Sequence, residues 1–212
     1  ALSLDGLSNT HAIEIDVNHP GEISEIFDAV SYSKGASVIR MLANYLGEKA
    51  FRAGLKNYLT THKYANAKTE DLWRAFERAS RKPVRSMMKD WTRKPGYPLI
   101  ELTEAGRSVS LSQRRFFSNG RGTAVGKWMV PLTISTKRRS EKPLLLSKSR
   151  VSIASPGDHV IKANMGEIAL ARVKYSPQAL TYLGQDIAHA ERFDEADRFG
   201  IIRDAYALSE SG

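Results

Sequence analysis

Cysteine is absent from the sequence, which excludes disulfide frameworks, thiolate metal sites and cysteine nucleophiles. A chain of this kind fits a reducing compartment, and a cytoplasmic location is the expectation. No apolar run approaches the roughly 18 to 20 residues that a membrane-spanning helix needs. The opening residues, Ala1-Leu2-Ser3-Leu4-Asp5-Gly6, lack the basic and apolar regions of a signal peptide, so no membrane partner is expected. Acids are in short supply: 23 Asp and Glu face 32 Lys and Arg, for a formal net charge of +9. Such a balance raises nucleic acid as a partner, but the cations are scattered. Their densest groups are Lys137-Arg138-Arg139, placed as a hairpin loop would be, and Arg81-Lys82 with Arg85, Lys89, Arg93 and Lys94. These read as a loop and solvated helix faces, so nucleic-acid binding is not the expectation. HExxH, Gly-rich phosphate loops, GxSxG elbows and Rossmann fingerprints are missing as well. The histidines His11, His19, His62, His159 and His189 include no i,i+4 pair, which rules against a self-contained zinc site. Neighbouring acids such as Glu14 with Asp16 and Glu70 with Asp71 read as solvated or helix-starting residues.

What is present is a globular composition, 42% apolar and 26% charged over 212 residues, with room for one large or two small domains. Residues 1–26 read as extended or looped, with a short strand at Glu14-Ile15-Asp16-Val17 and a turn at Asn18-His19-Pro20-Gly21. Residues 27–46 read as one long, largely buried helix. Its 3.6-residue stripe is Tyr32, Ala36, Ile39, Ala43 and Leu46, widened by Val38, Met41, Leu42 and Tyr45, against a polar stripe of Ser33, Ser37, Arg40 and Asn44. Tyr32, in the first turn, is either the end of that core stripe or a catalytic hydroxyl at the mouth of a cleft.

Gly47 is a C-cap candidate, followed by a helix from Glu48 to Thr61 through Phe51, Leu55, Tyr58 and Leu59. Thr69 is placed to cap a third helix running to Ser80 through Leu72, Trp73, Phe76 and Ala79. Pro83 opens a fourth with Val84, Met87, Met88 and Trp91. At Lys94-Pro95-Gly96-Tyr97-Pro98 the helical period stops, and a domain boundary is placed there. Strands are expected at 99–102, 109–117, 128–135, 144–146, 151–153, 159–162 and 168–175, the spacing of an antiparallel sandwich. Helical spacing returns from Pro177, and residues 191–208 carry Phe193, Phe199, Ile201, Ile202, Ala205, Tyr206 and Leu208. By spacing alone the chain is a helical module followed by a β-domain, of unassigned function. The apolar face of its last helices and the connecting character of its first 26 residues read as a segment of a longer protein.

Several stretches, in order, resemble the zinc-dependent aminopeptidases of the gluzincin type. Ser8-Asn9-Thr10-His11-Ala12-Ile13 is similar to that family's S-x-x-H-P-I, with Ala12 at the usual proline. Glu22-Ile23, Ile26-Phe27-Asp28 and Ser31-Tyr32-Ser33-Lys34-Gly35-Ala36 resemble its E-I-x-x-x-F-D-x-I-x-Y-x-K-G-A. Trp91 to Pro98 is similar to its W-x-x-x-P-G-Y-P, and Gln113 to Phe116, Trp128 to Leu132 and Asp197 to Leu208 resemble later segments. Ala169-Leu170-Ala171-Arg172-Val173 departs from the family's G-F-Y-R-V.

The resemblance implies a multidomain α+β fold: the later half of a thermolysin-like catalytic domain over residues 1–97, an antiparallel β-sandwich over 98–176, and the beginning of a helical domain over 177–212. It implies a metallo-aminopeptidase that removes N-terminal residues from peptides. Zinc is the cofactor, its HExxH ligands and the GxMEN amine-binding loop lying outside this sequence. It assigns Tyr32 as the donor to the oxyanion of the reaction. Phenols keep their proton at neutral pH, so the role suits the chemistry. The partners implied are peptide substrates and the remaining parts of the same enzyme, and the isolated chain is expected to be inactive. The competing reading is a non-catalytic scaffold or a basic nucleic-acid-binding module.

Overall fold

Helix-period sequence fills the first part of the chain and strand-period sequence the middle, and the molecule follows that division. The structure, a computed structural model, describes residues 2–22, 27–105, 108–120, 122, 126–136, 143–154, 160–188 and 193–212. Lys137-Arg138-Arg139, His159, His189, Ile23 and Ile26 lie outside them. The helical elements are α1 (Leu2–Asp5), a 3-10 turn (Pro20–Glu22), a π-helical turn (Val30–Lys34), α2 (Gly35–Leu46), α3 (Glu48–Thr61), α4 (Thr69–Ser80) and α5 (Val84–Arg93).

The opening residues depart from expectation. Leu2–Asp5 is a short helix, and 14–17 is irregular: Glu14 N–H bonds to Thr92 O at 2.8 Å, and among the described residues no strand runs beside it. The expected turn at Pro20 is present, closed by Glu22 N–H on His19 O at 3.0 Å.

α2 ends where Gly47 takes φ +84° and donates to Ala43 O at 3.0 Å, a backbone state glycine adopts without steric cost. On α3 the buried residue is Gly54, while Leu55 and Leu59 are exposed. The hairpin with α4 closes tightly on that glycine, and Phe51 stacks on Phe76 at 4.7 Å. Thr69 is the first residue of α4 rather than its cap. The end is closed instead by Asp71, whose Oδ2 accepts from Lys68 N–H at 3.0 Å. On α5 the four spaced apolar residues, Val84, Met87, Met88 and Trp91, are all buried.

The strands are β1 (Pro98–Ala105), β2 (Ser108–Arg115), β3 (Val130–Leu132), β4 (Ile134–Thr136), β5 (Leu144–Leu146), β6 (Arg150–Ala154), β7 (Val160–Ala163) and β8 (Arg172–Tyr175). They form a four-stranded sheet in the order β6-β2-β1-β8 and two-stranded pairs β3-β5 and β4-β7. The expectation of a purely antiparallel assembly is corrected here: β8 pairs with β1 in parallel, Leu99 opposite Arg172. The expected strand over 128–135 is also two strands, since Thr133 separates β3 and β4 and each joins a different partner. Beyond β7 come a 3-10 turn (Met165–Glu167), α6 (Pro177–Ala188) and α7 (Glu195–Ser211).

A single hydrophobic cluster runs from α2, α4 and α5 through the strands to Leu183 and Phe193, so helices and sheet share one core. Its centre joins Trp91 to Trp128, ring centroids 6.2 Å apart, with Trp91 Nε1–H on Met129 O at 2.9 Å. Gln113 ties the strands beside it, its Nε2 donating to Trp128 O at 3.0 Å and Lys148 O at 2.9 Å. The helix that leads into this core from the other side is α2, and the turn that precedes it carries Tyr32.

Candidate active site

The helix start at 28–34 is built by a cap and an extra residue. Asp28 Oδ1 accepts from Ser31 N–H at 2.9 Å, the bond an N-cap side chain makes to the third helical residue. The first turns are then π-helical over Val30–Lys34 and become α-helical at Gly35. A π turn lodges one more residue than an α turn and is frequent at functional sites. Its effect is directional. Val30 and Lys34 both point into the protein, 3% and 0% exposed, while Tyr32 between them is 59% exposed.

The buried face of this helix is accordingly Val30, Lys34, Val38, Met41, Leu42 and Leu46; of the expected stripe Leu46 is buried and Ile39 and Ala43 are half-buried, while Tyr32 and Ala36 face outward. Of the two alternatives for Tyr32, the core residue is excluded. Ser33, Arg40 and Asn44 are exposed, as the polar stripe requires, but Tyr32 and Ala36 are exposed with them, so the outward face is wider than the narrow stripe expected. Gly35, next to the tyrosine, has open space where a Cβ would stand. Among the described residues the Tyr32 hydroxyl has no hydrogen-bond partner, and the ring meets Phe27 edge-on at 5.1 Å.

Beneath the exposed phenol lies a buried charge that sequence reading passed over. Lys34 Nζ is 3.0 Å from Asp5 Oδ2 and donates to Gly96 O at 2.9 Å and Lys94 O at 3.1 Å. Asp5 in turn accepts on Oδ1 from Gly96 N–H at 3.0 Å and Thr10 Oγ1–H at 2.9 Å. Burial pushes the Lys34 ammonium below its usual range, and the Asp5 carboxylate opposes that shift. α1, the π turn and the Pro95-Gly96 bend are thus fastened at one point. The next residue, Tyr97, donates to Leu2 O at 2.9 Å and accepts from Arg172 Nε–H at 3.3 Å, and burial pushes its ionisation up to about 12. The signal was a lysine beside a helix start with an aspartate in an apolar opening, but nothing in their spacing pairs them.

His11 closes the other side. Its Nδ1 is 2.8 Å from Ala12 O and its Nε2 is 3.0 Å from Asp28 Oδ2. Bonding to the Ala12 carbonyl, then to the Asp28 carboxylate, raises the imidazole above its usual pKa against the opposing effect of burial. Asp28 is held below the usual carboxylate range, first by the Ser31 N–H and then by His11. Of the other described histidines, His19 Nδ1 accepts from Gly21 N–H at 3.1 Å and His62 packs against Tyr58 with ring centroids 5.3 Å apart.

Zinc does not fit the residues at hand. Among the described residues no group of three or more His, Cys, Asp or Glu side chains is placed to hold a metal ion, and His11 has both ring nitrogens engaged. Basic side chains line one groove at Lys68, Arg85, Lys89 and Arg93, and an open groove of about 480 Å³ between α3 and α4 where Lys56, Arg74 and Arg78 meet. Asp71 sits among them, 2.8 Å from Arg74. Among the described residues no helix is long and apolar enough to cross a membrane.

Residues 1–91, which hold the outward-facing tyrosine and the helices that follow it, match the peptidase family M1 domain. The chain belongs to this family, that of the gluzincin aminopeptidases. It is 40% identical to the tricorn protease-interacting factor F2 of Thermoplasma acidophilum over 213 residues, covering 100% of this chain and 26% of that protein. To aminopeptidase M1 of Arabidopsis thaliana it is 40% identical, covering 98% of this chain and 25% of the relative. To the puromycin-sensitive aminopeptidase of Caenorhabditis elegans it is 37% identical, covering 100% and 23%. The chain spans about a quarter of the length of these relatives.

Proposed function

We propose that the protein of which this chain is part is a zinc-dependent aminopeptidase of the cytoplasm that removes N-terminal residues from peptides, and that Tyr32 donates a hydrogen bond to the oxyanion formed at the scissile carbonyl. The observation that carries this reading is the orientation of Tyr32. Its phenol is outside the core with no hydrogen-bond partner among the described residues, while the residues two before and two after it are buried. A core tyrosine would have spent its hydroxyl on a neighbour. A donor held free at a helix start is available to charge that develops on a bound substrate, and the positive end of the helix dipole favours the same charge.

In this reading residues 1–97 are the later half of the catalytic domain, 98–176 a sandwich spacer and 177–212 the start of a helical domain. The match of residues 1–91 to the family domain supports the first division. The nucleophile and the hold on the substrate's amine come from elsewhere in the protein, so the 212 residues alone are inactive.

Tyr32→Phe in the protein at its natural length tests the assignment. Loss of one oxyanion donor costs about 10²- to 10³-fold in rate, so kcat should fall by that factor with KM and melting temperature unchanged, the ring being exposed. A variant with near-full kcat and a normal fold removes Tyr32 from the mechanism.

A further inference from the structure

An exposed side chain on a helix start ordinarily samples several rotamers, and a catalytic donor must sit in one. Three contacts restrict Tyr32. Asp28, as the N-cap, accepts from Ser31 N–H through Oδ1 at 2.9 Å and from Tyr32 N–H through its carbonyl at 3.1 Å. Counting from that cap, Phe27 stands at the position before it and Tyr32 at the fourth helical position, the two places whose side chains form a hydrophobic staple. Their rings meet at 5.1 Å with planes 87° apart, the edge-to-face geometry aromatic pairs prefer. The third contact is His11 Nε2 at 3.0 Å from the other carboxylate oxygen, Asp28 Oδ2.

The protonation of His11 follows from what its two nitrogens face. The Ala12 carbonyl and an ionised carboxylate are both acceptors, and a neutral imidazole carries only one N–H. Satisfying both contacts takes the imidazolium. The cap carboxylate is then an ion pair with His11 as well as the partner of the helix amide, and both of its oxygens are fixed.

We propose that His11 is a positioning residue for Tyr32: the imidazolium fixes the Asp28 cap, and the cap together with the Phe27 staple holds the phenol in its productive direction before substrate arrives. The inference rests on the reading of Tyr32 as the oxyanion donor. Released from the clamp, the ring spreads over neighbouring rotamers, and displacement of a catalytic group by about 1 Å can cost about 10²-fold. A loosened rather than displaced donor should lose about tenfold. The loss belongs to kcat, because the phenol acts on charge that appears in the transition state.

The test is a double-mutant cycle on the protein at its natural length with an aminoacyl substrate, comparing His11→Ala, Tyr32→Phe and the pair. His11→Ala should lower kcat about tenfold with KM within about twofold. The double variant should be no slower than Tyr32→Phe alone, because without the hydroxyl there is nothing left to position. His11→Gln, whose amide N–H can still reach Asp28, should recover most of the lost rate. Unchanged kcat in His11→Ala overturns the proposal, as does an equal loss in the Tyr32→Phe background, which is how a residue serving only general stability behaves. If Tyr32→Phe itself keeps full kcat, the donor assignment falls and the positioning role with it, a result distinct from failure of the coupling. Should His11→Ala not fold, Asp28→Asn takes its place. It keeps an acceptor for Ser31 N–H and loses the charge, and it must show the same Tyr32-dependent loss or the proposal is overturned.

Discussion

Lys34 and Asp5 are among the least accessible groups in the chain, with side chains 0% and 1% exposed. Two buried charges of opposite sign attract strongly, but each has lost its hydration, so the pair as a whole adds little and its separation costs much. What the lysine adds is direction: three of its contacts converge from Asp5, Lys94 and Gly96, and together they pin the end of the π turn. Lys34→Met should therefore destabilise by about 3–5 kcal/mol, since it strands the Asp5 carboxylate, whereas Lys34→Met with Asp5→Asn should cost less than the single change. Urea unfolding midpoints of the two variants check this, and a single-variant cost under about 1 kcal/mol would contradict the pairing. At this scale the sequence was only half legible. Tyr32 stood out by its motif, but periodicity put it in the core because a 3.6-residue stripe is the wrong ruler for a π turn. Lys34 did not stand out, because its partner comes from α1, a distant stretch whose approach no local pattern announces.

Elements were read more successfully than side chains, for a physical reason: spacing, glycine and proline act within a few residues, and so do helix ends. The bounds of α3 at Glu48–Thr61 and α4 at Thr69–Ser80 are those the apolar period and its breaks mark out. Which face of α3 is buried was less visible, because the contact surface is a glycine. A Cβ at Gly54 would lie 2.5 Å from Phe76 Cδ1 and 3.0 Å from Phe76 Cα. Phe76 is 1% exposed, stacked on Phe51 and unable to retreat. Gly54→Ala gains about 1 kcal/mol in helix propensity, against about 1–3 kcal/mol for overpacking. Because one clash is with backbone rather than a flexible tip, the cost should win by about 1–2 kcal/mol. A melting temperature lowered by several degrees is the expected readout, and a raised one would show that the α3–α4 hairpin can open without penalty. Strand pairing lay beyond local signals altogether: the split at Thr133 and the parallel seat of β8 are set by partners far along the chain.

For the molecule as a whole, the question is what fastens α7 to the sheet, since Phe199, Ile202 and Tyr206 on that helix are exposed and its apolar packing is one-sided. A charged network supplies the hold. Lys162 Nζ reaches Glu167 Oε1 at 2.7 Å and Asp197 Oδ1 at 3.0 Å, and Arg172 pairs with Asp204 at 3.0 Å. Arg203 spans Glu167 at 2.7 Å and Asp204 at 3.1 Å. The same 165–167 turn receives Arg40 from α2, through the carbonyls of Gly166 and Glu167, both at 3.3 Å. The helix that follows the Tyr32 turn, the sheet and α7 therefore meet at one loop.

Burial raises the Glu167 carboxyl above its usual range, and Lys162 works against that shift. Lys162→Met takes away the cation that Glu167 and Asp197 share and leaves Glu167 with Arg203 alone, and the cost should be about 3–5 kcal/mol. The sign with pH follows from linkage: a carboxyl whose pKa is raised by folding binds its proton more tightly in the native state, so the variant regains stability as pH falls and Glu167 becomes neutral. The difference in unfolding free energy between the wild type and Lys162→Met should thus be larger at pH 7.5 than at pH 5, with proteolysis of α7 following the same trend. A penalty equal at both pH values would mean that Glu167 does not titrate against Lys162, and a penalty near zero at both would mean that the helix is held by its apolar face and that the ionic joint between the Tyr32 helix, the sheet and α7 contributes orientation without stability.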